Sequence, residues 1–150
     1  MKLDGTYLFR EKREQVWSTL MDPEAISGAI PGVEEFVPVE DEQHAWRAIA
    51  KVSMAAVSGR FTGQVRMSEI QAPVSYRLTV SGEGQGSIIS GNVVMRLVER
   101  DDGGTVLHWD AEANISGKLA RIGQRLIKAA ANMMSKRFFG NLARQIREAA

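Results

Sequence analysis

Cysteine is absent from this 150-residue sequence, which excludes disulfides, thiolate nucleophiles and cysteine-ligated zinc or iron–sulfur centres and fits a reducing compartment such as the cytoplasm. Histidine is nearly absent. His44 and His108 are the two imidazoles, so general acid–base chemistry near neutral pH has few candidates. No stretch approaches the ~18 apolar residues of a spanning helix. Met1 leads straight into an alternating segment, Lys2 to Arg10, instead of a basic region followed by an apolar run. Neither a signal peptide nor a transmembrane segment is expected. Charge of one sign is also missing: 19 Lys and Arg face 18 Asp and Glu, a net charge of +1. That balance offers no broad field to a phosphate backbone, so nucleic acid is not an expected partner. With 44% hydrophobic and 25% charged residues, the composition is that of a folded globular chain rather than a disordered one. The length suits one domain spanning 1–150.

What is present is periodic. Leu3, Gly5, Tyr7 and Phe9 share one face of a first strand. Val16, Trp17 and Leu20 recur at helical spacing from about Arg13, and Asp22-Pro23-Glu24 offers an N-cap, a first-turn proline and an acid near the dipole for a second short helix. Pro31-Gly32 closes it. Strands follow: Val33 to Val39, interrupted by Pro38; His44 to Met54 after the polar turn Asp41-Glu42-Gln43; Arg60 to Ile70, ended by Ala72-Pro73. Then come strands with Tyr76, Leu78 and Val80, with Gly91, Val93, Met95 and Leu97, and with Leu107, Trp109, Ala111, Ala113 and Ile115 facing inward. The last two are joined by the hairpin signal Asp101-Asp102-Gly103-Gly104. Ser116-Gly117 can cap a final segment of about thirty residues without proline, roughly 45 Å if fully helical. In it Leu119, Gly123, Leu126, Ala130, Met133 and Met134 form a stripe expected to face the sheet. Arg137 falls near the centre of that stripe, so either the buried face shifts toward Phe138, Leu142 and Ile146 or Arg137 has a partner.

Segregated helices and strands indicate an α+β fold in which a sheet of six to seven antiparallel strands curves around the long C-terminal helix. Glycines 59, 63, 82, 84, 86 and 91 are placed to permit the bends and bulges of that curvature. The inner face mixes small residues with aromatics and flexible methionines, a lining equally suited to a filled core or an adaptable pocket. If a pocket, it is lined by Trp46, Val52, Met54, Phe61, Val65, Met67, Tyr76, Leu78, Val80, Met95, Trp109, Leu119, Leu126 and Met133, with Gly123 or Ser116-Gly117 as hinges for entry.

Signs of catalysis are weak. His44 and His108 sit at outward positions of their strands. Gly82-Glu83-Gly84-Gln85-Gly86 resembles a phosphate loop only superficially, since a strand and not a helix follows, and reads as a turn with bulges. Asp101-Asp102 and Asp41-Glu42 lie in hairpin tips without a further ligand at metal-binding spacing. No serine has a nucleophile elbow around it. The basic residues of the last helix read as a solvated face in preference to a docking surface for an acidic partner or anionic lipid.

The run Met1-Lys2-Leu3-Asp4-Gly5 with Tyr7 and Phe9, Val16-Trp17, Leu20-Met21-Asp22-Pro23-Glu24 and Ile30-Pro31-Gly32-Val33-Glu34 resembles the CoxG family, the G subunits of carbon monoxide dehydrogenase. Gly59-Arg60-Phe61-Thr62-Gly63, Tyr76-Arg77-Leu78, Gly82-Glu83-Gly84, Gly117 to Gly123 and Phe138-Phe139 extend the likeness over essentially the whole chain. The resemblance implies the helix-grip fold of the START/Bet v-like, or SRPBCC, superfamily. It also implies a non-catalytic accessory protein to molybdenum carbon monoxide dehydrogenases and related hydroxylases, holding a hydrophobic ligand such as a respiratory quinone or a lipid, with no tightly bound cofactor, no metal and no catalytic residues. Many members carry a C-terminal extension that tethers them to the membrane. Here the chain stops at Ala150, after the long helix, so at most transient contact with the inner face of the membrane is expected. Two alternatives stand beside this reading: a polyketide cyclase or dehydratase-like enzyme using Tyr76, His44 or His108 for proton transfer, and a dry docking or assembly module.

Overall fold

The computed structural model describes residues 1–54 and 56–149; Ala150, after which the sequence stops, lies outside them. In chain order the elements are β1 (Lys2–Phe9), α1 (Arg13–Leu20), α2 (Pro23–Ala29), β2 (Val33–Pro38), β3 (Ala45–Met54), β4 (Val57–Gln71), β5 (Ser75–Gly84), β6 (Ser87–Glu99), β7 (Thr105–Gly117), a 3-10 turn (Lys118–Ile122) and α3 (Gln124–Ala149). All seven strands join one antiparallel sheet in the order β1-β7-β6-β5-β4-β3-β2. The six strands after α2 follow as consecutive hairpins, and α1 and α2 carry the chain from one sheet edge to the other. A flat sheet of this width would separate its edges by roughly 29 Å at ~4.8 Å per strand. Leu3 on β1 and Phe36 on β2 nevertheless border one cavity, so the sheet curves around α3.

Local chemistry matches these elements. The Asp22 carboxylate accepts from the Glu24 N–H at 3.0 Å, with Pro23 opening α2. Gly103, at a φ of 89°, turns the β6–β7 hairpin, whose Gly104 N–H donates to Asp102 Oδ1 at 2.9 Å. The register shifts fall at Val33/Glu35 and Ser68/Gln71 and not at the strand glycines, of which Gly63 serves close approach: a Cβ there would come within 2.3 Å of the Ser81 carbonyl oxygen. On the outer face Arg47 pairs with Glu35, Arg60 with Glu34, Arg66 with Glu42 and Arg77 with Glu69. In each pair one side chain is more than half exposed and the other more than a third, where such a pair is worth little. The Arg60 guanidinium hydrogen-bonded to Glu34 holds that carboxyl below its usual range.

The long helix departs from its expected start and face. Ser116 and Gly117 end β7 and do not cap α3; the chain then makes a 3-10 turn bounded by Gly117 and Gly123, at φ of 85° and 92°. A side chain at Gly117 would meet the Gly86 carbonyl oxygen at 2.1 Å. The Leu119 N–H donates to the buried Ser87 hydroxyl at 2.8 Å, which fastens the turn to the sheet and delays the helix to Gln124. The buried face of α3 then runs through Ile127, Phe139, Leu142, Ala143 and Ile146, about 160° around the helix from a stripe through Leu126 and Met133. Arg137 is exposed: the buried face shifts toward Phe138, Leu142 and Ile146, because centring it on Arg137 would strip water from a guanidinium.

The two halves of α3 are packed unequally. Its C-terminal half joins Phe9, Val16, Leu20, Leu97 and Leu107 in a dense core. There the Asn141 and Gln145 side-chain amides donate to the Ala29 and Ala25 carbonyls, each at 3.0 Å, the first supplying a partner that the final carbonyl of α2 lacks internally. The N-terminal half, by contrast, has Ile127 as its one fully buried residue before Phe139 among those described. The space beneath it is open.

Candidate functional site

Two cavities lie between the sheet and the N-terminal half of α3. The larger, about 540 Å³, reaches toward α2 and is bordered by Ile26, Ile30, Phe36, Trp46, Met67, Tyr76, Leu78, Met95, Trp109 and Phe138. The second, about 430 Å³, extends toward the β3–β4 hairpin and the 3-10 turn and is bordered by Val52, Met54, Val57, Phe61, Ile89, Ile115, Leu119 and Ile127. Val65, Val80, Ala131 and Met134 border both, so the two adjoin at a waist where β4 and β5 face the helix. Each falls within the usual range for small-molecule sites, about 300–1,000 Å³.

The lining is almost wholly apolar and contains no Lys, Arg or His. Its polar side chains are mostly engaged elsewhere. The Ser135 hydroxyl donates to the Asn132 carbonyl at 3.0 Å, Asn92 Oδ1 accepts from Thr79 at 3.2 Å, and Glu112 reaches Lys2 at 4.0 Å in solvent. Tyr76 differs. It is 3% exposed, lies edge-on to Trp17 with centroids 5.6 Å apart, and its hydroxyl has no hydrogen-bond partner among the described residues. Burial pushes that hydroxyl above the ordinary tyrosine range. At the α2 end, Phe36 and Trp46 stack at 5.8 Å and 12°.

Of the fourteen residues expected to line a pocket, Trp46, Val65, Met67, Tyr76, Leu78, Val80, Met95 and Trp109 border the larger cavity, and Val52, Met54, Phe61 and Leu119 join Val65 and Val80 on the second. Leu126 and Met133 do not: they are 47% and 42% exposed on the outer side of α3, displaced by the change of helix phase. Ile127, Ala131, Met134 and Phe138 take the inward positions. Ile26, Ile30 and Phe36 line the cavity without having been expected to, although Ile26 and Ile30, four apart, carry the signal of an apolar helix face. His44 is exposed at the head of β3, and His108 lies on the outer face of β7 opposite Thr6 and Arg96, so neither imidazole enters the cavity. The Gly82-to-Gly86 segment is the end of β5 and a hairpin turn into β6. Among the described residues no three His, Cys, Asp or Glu side chains converge as a metal site.

A curved antiparallel sheet closed over an apolar cavity by a C-terminal helix defines the START-like class. A START superfamily protein from Mycobacterium smegmatis has the same fold over 99% of both chains, with a TM-score of 0.75 at 10% identity. A protein from Chromobacterium violaceum matches at TM-score 0.73 and 13% identity over 97% of this chain and 96% of its own. A conserved protein from Geobacillus kaustophilus is more alike: TM-score 0.94, 28% identity, 99% of this chain and 97% of that one. The chain belongs to the CoxG family, the G subunit of carbon monoxide dehydrogenase, whose profile matches residues 5–147. No functionally curated protein matches it.

Proposed function

We propose that this chain is a non-catalytic carrier of a hydrophobic small molecule, a respiratory quinone or a lipid, acting as accessory protein to a molybdenum carbon monoxide dehydrogenase or a related hydroxylase. The two adjoining apolar cavities under the loosely packed half of α3 carry this reading. Burying about 400 Å² of apolar ligand surface at ~25 cal/mol per Å² is worth roughly 10 kcal/mol, which leaves about 6 kcal/mol, or binding in the tens of micromolar, after an association cost of about 4 kcal/mol. The family supports the dehydrogenase as partner. We place the carrier in the cytoplasm, in transient contact with the membrane. Among the described residues no helix is long and apolar enough to cross a membrane. Entry requires the N-terminal half of α3 to lift, with Gly117 and Gly123 as the hinge points.

The test is displacement of an apolar fluorescent dye by a short-chain quinone, in the wild type and in Ala131→Trp, which fills the waist. Binding by the wild type, weakened about tenfold or more in the variant, is expected. A wild type that binds neither dye nor quinone contradicts the proposal and favours a docking role instead. Co-purification of a co-expressed dehydrogenase tests the partner separately.

A further inference from the structure

Resting on the carrier reading, we propose that the Tyr76 hydroxyl is the polar end of the cavity: it donates a hydrogen bond to a neutral carbonyl at the head of an otherwise apolar ligand, and the same cavity rejects carboxylates. A buried hydroxyl without a partner is costly, and native proteins rarely leave one without a reason. The side-chain atoms that are both sealed and unpartnered are Glu11 Oε1 and Arg13 Nε, so the Tyr76 oxygen keeps accessible surface. Tyr76 borders the larger cavity and is 3% exposed. In the register, Tyr76 pairs with Met95 and Met95 with Trp109. Trp109 borders the cavity too, its indole nitrogen packed on Gly5, and its N–H likewise has no partner among the described residues. With no Lys, Arg or His on the lining, a carboxylate would enter without a counter-charge, whereas a ketone, quinone or ester carbonyl needs only a donor.

Dye displacement by methyl dodecanoate, dodecanoate and tridecane at neutral pH separates the possibilities. The ester is expected to bind at least about tenfold more tightly than the carboxylate. Tyr76→Phe is expected to lose about fivefold for the ester, one neutral hydrogen bond, and nothing for the alkane. Retained alkane binding shows that the variant is folded with its cavity intact. Equal ester affinity in wild type and variant, or a carboxylate that binds as well as the ester, overturns the proposal while leaving the carrier reading standing. Failure of all three ligands overturns both.

The outer side of α3 carries a second feature, independent of what fills the cavity. Residues 113–147 hold eight of the 19 Lys and Arg and none of the 18 Asp and Glu. Lys118, Arg121, Arg125, Lys128, Lys136 and Arg137 are exposed and lack a carboxylate partner among the described residues, whereas the sheet arginines 47, 60, 66, 77, 96 and 100 each have one. Amid the unpaired cations stand exposed Leu126, Ala129 and Met133 on one helical ridge. We infer that this face docks on an anionic lipid bilayer, cations meeting headgroups and the ridge entering the interface. It is the back of the helix that covers the cavity, so docking places the lid of the site at the membrane.

Sedimentation with phosphatidylcholine vesicles, with and without an equal part of phosphatidylglycerol, tests it. Salt-sensitive binding to the anionic vesicles alone is expected, reduced about tenfold or more by Arg125→Glu with Lys128→Glu and also reduced by Leu126→Ser with Met133→Ser, with unchanged melting because all four sites are exposed. Absent binding, equal binding to neutral vesicles, or charge reversal without effect overturns it.

Discussion

At the scale of single residues, the cavity depends on who stands next to whom across the sheet. Gly5 pairs with Trp109, and a Cβ at Gly5 would lie 2.6 Å from the indole nitrogen. The glycine is what lets the indole lie flat over β1 and leave space inward. Gly5→Ala is expected to cost about 1–3 kcal/mol by overpacking, measured by urea unfolding, and to shrink the larger cavity; a neutral substitution would contradict this geometry. Tyr76 makes a pH prediction. Its hydroxyl ionises less readily folded than unfolded, so the neutral form favours folding. That contribution is complete below the unfolded value of about 10 and is lost as pH rises above it. In a spectrophotometric titration, the tyrosinate signal removed by Tyr76→Phe is expected to appear only together with unfolding, and the variant to withstand alkali better.

At the scale of elements, the decisive one is α3. Leu142→Ala, in the dense half, is expected to cost about 2–5 kcal/mol, whereas Leu126→Ala is expected to stay within about 0.5 kcal/mol of wild type; the reverse order in chemical denaturation would restore the face expected from sequence. That face differs from the observed one for a physical reason. Strand alternation is local, so β1 and β3 to β7 are legible from period-two patterns, as are the Asp22 cap and the Gly103-Gly104 turn. The phase of α3 is not local. A helical count starting at Leu119 fails because the Ser87 hydroxyl, 32 residues upstream, holds the Leu119 amide and keeps residues 118–122 out of the helix. Only Arg137, an incongruous cation on the expected stripe, hints at the shift. The need for curvature is legible, whereas the two bulges fall at positions without a glycine signature. The eleven sheet-borne lining residues follow from alternation and Leu119 from the helical stripe; Ile26, Ile30 and Phe36 depend on how α2 and β2 cross the open end, which no period encodes.

At the scale of the whole molecule, one end is a packed core and the other an apolar space under half a helix. That asymmetry sets where the protein opens: amides of the N-terminal half of α3 are expected to exchange faster than those of its C-terminal half, and to slow when ligand binds. At a free ligand concentration of 100 times Kd, binding adds about 2.7 kcal/mol, a rise in Tm of roughly 5–10 °C for a chain of this size. A Tm indifferent to every apolar ligand would leave the cavity without a role. The most direct test of the central claim is native mass spectrometry of protein purified from its own host, with solvent extraction and identification of whatever co-purifies. One neutral, carbonyl-bearing apolar molecule per chain is the expected result; protein that is repeatedly empty, and remains so after incubation with quinones and esters, would contradict it.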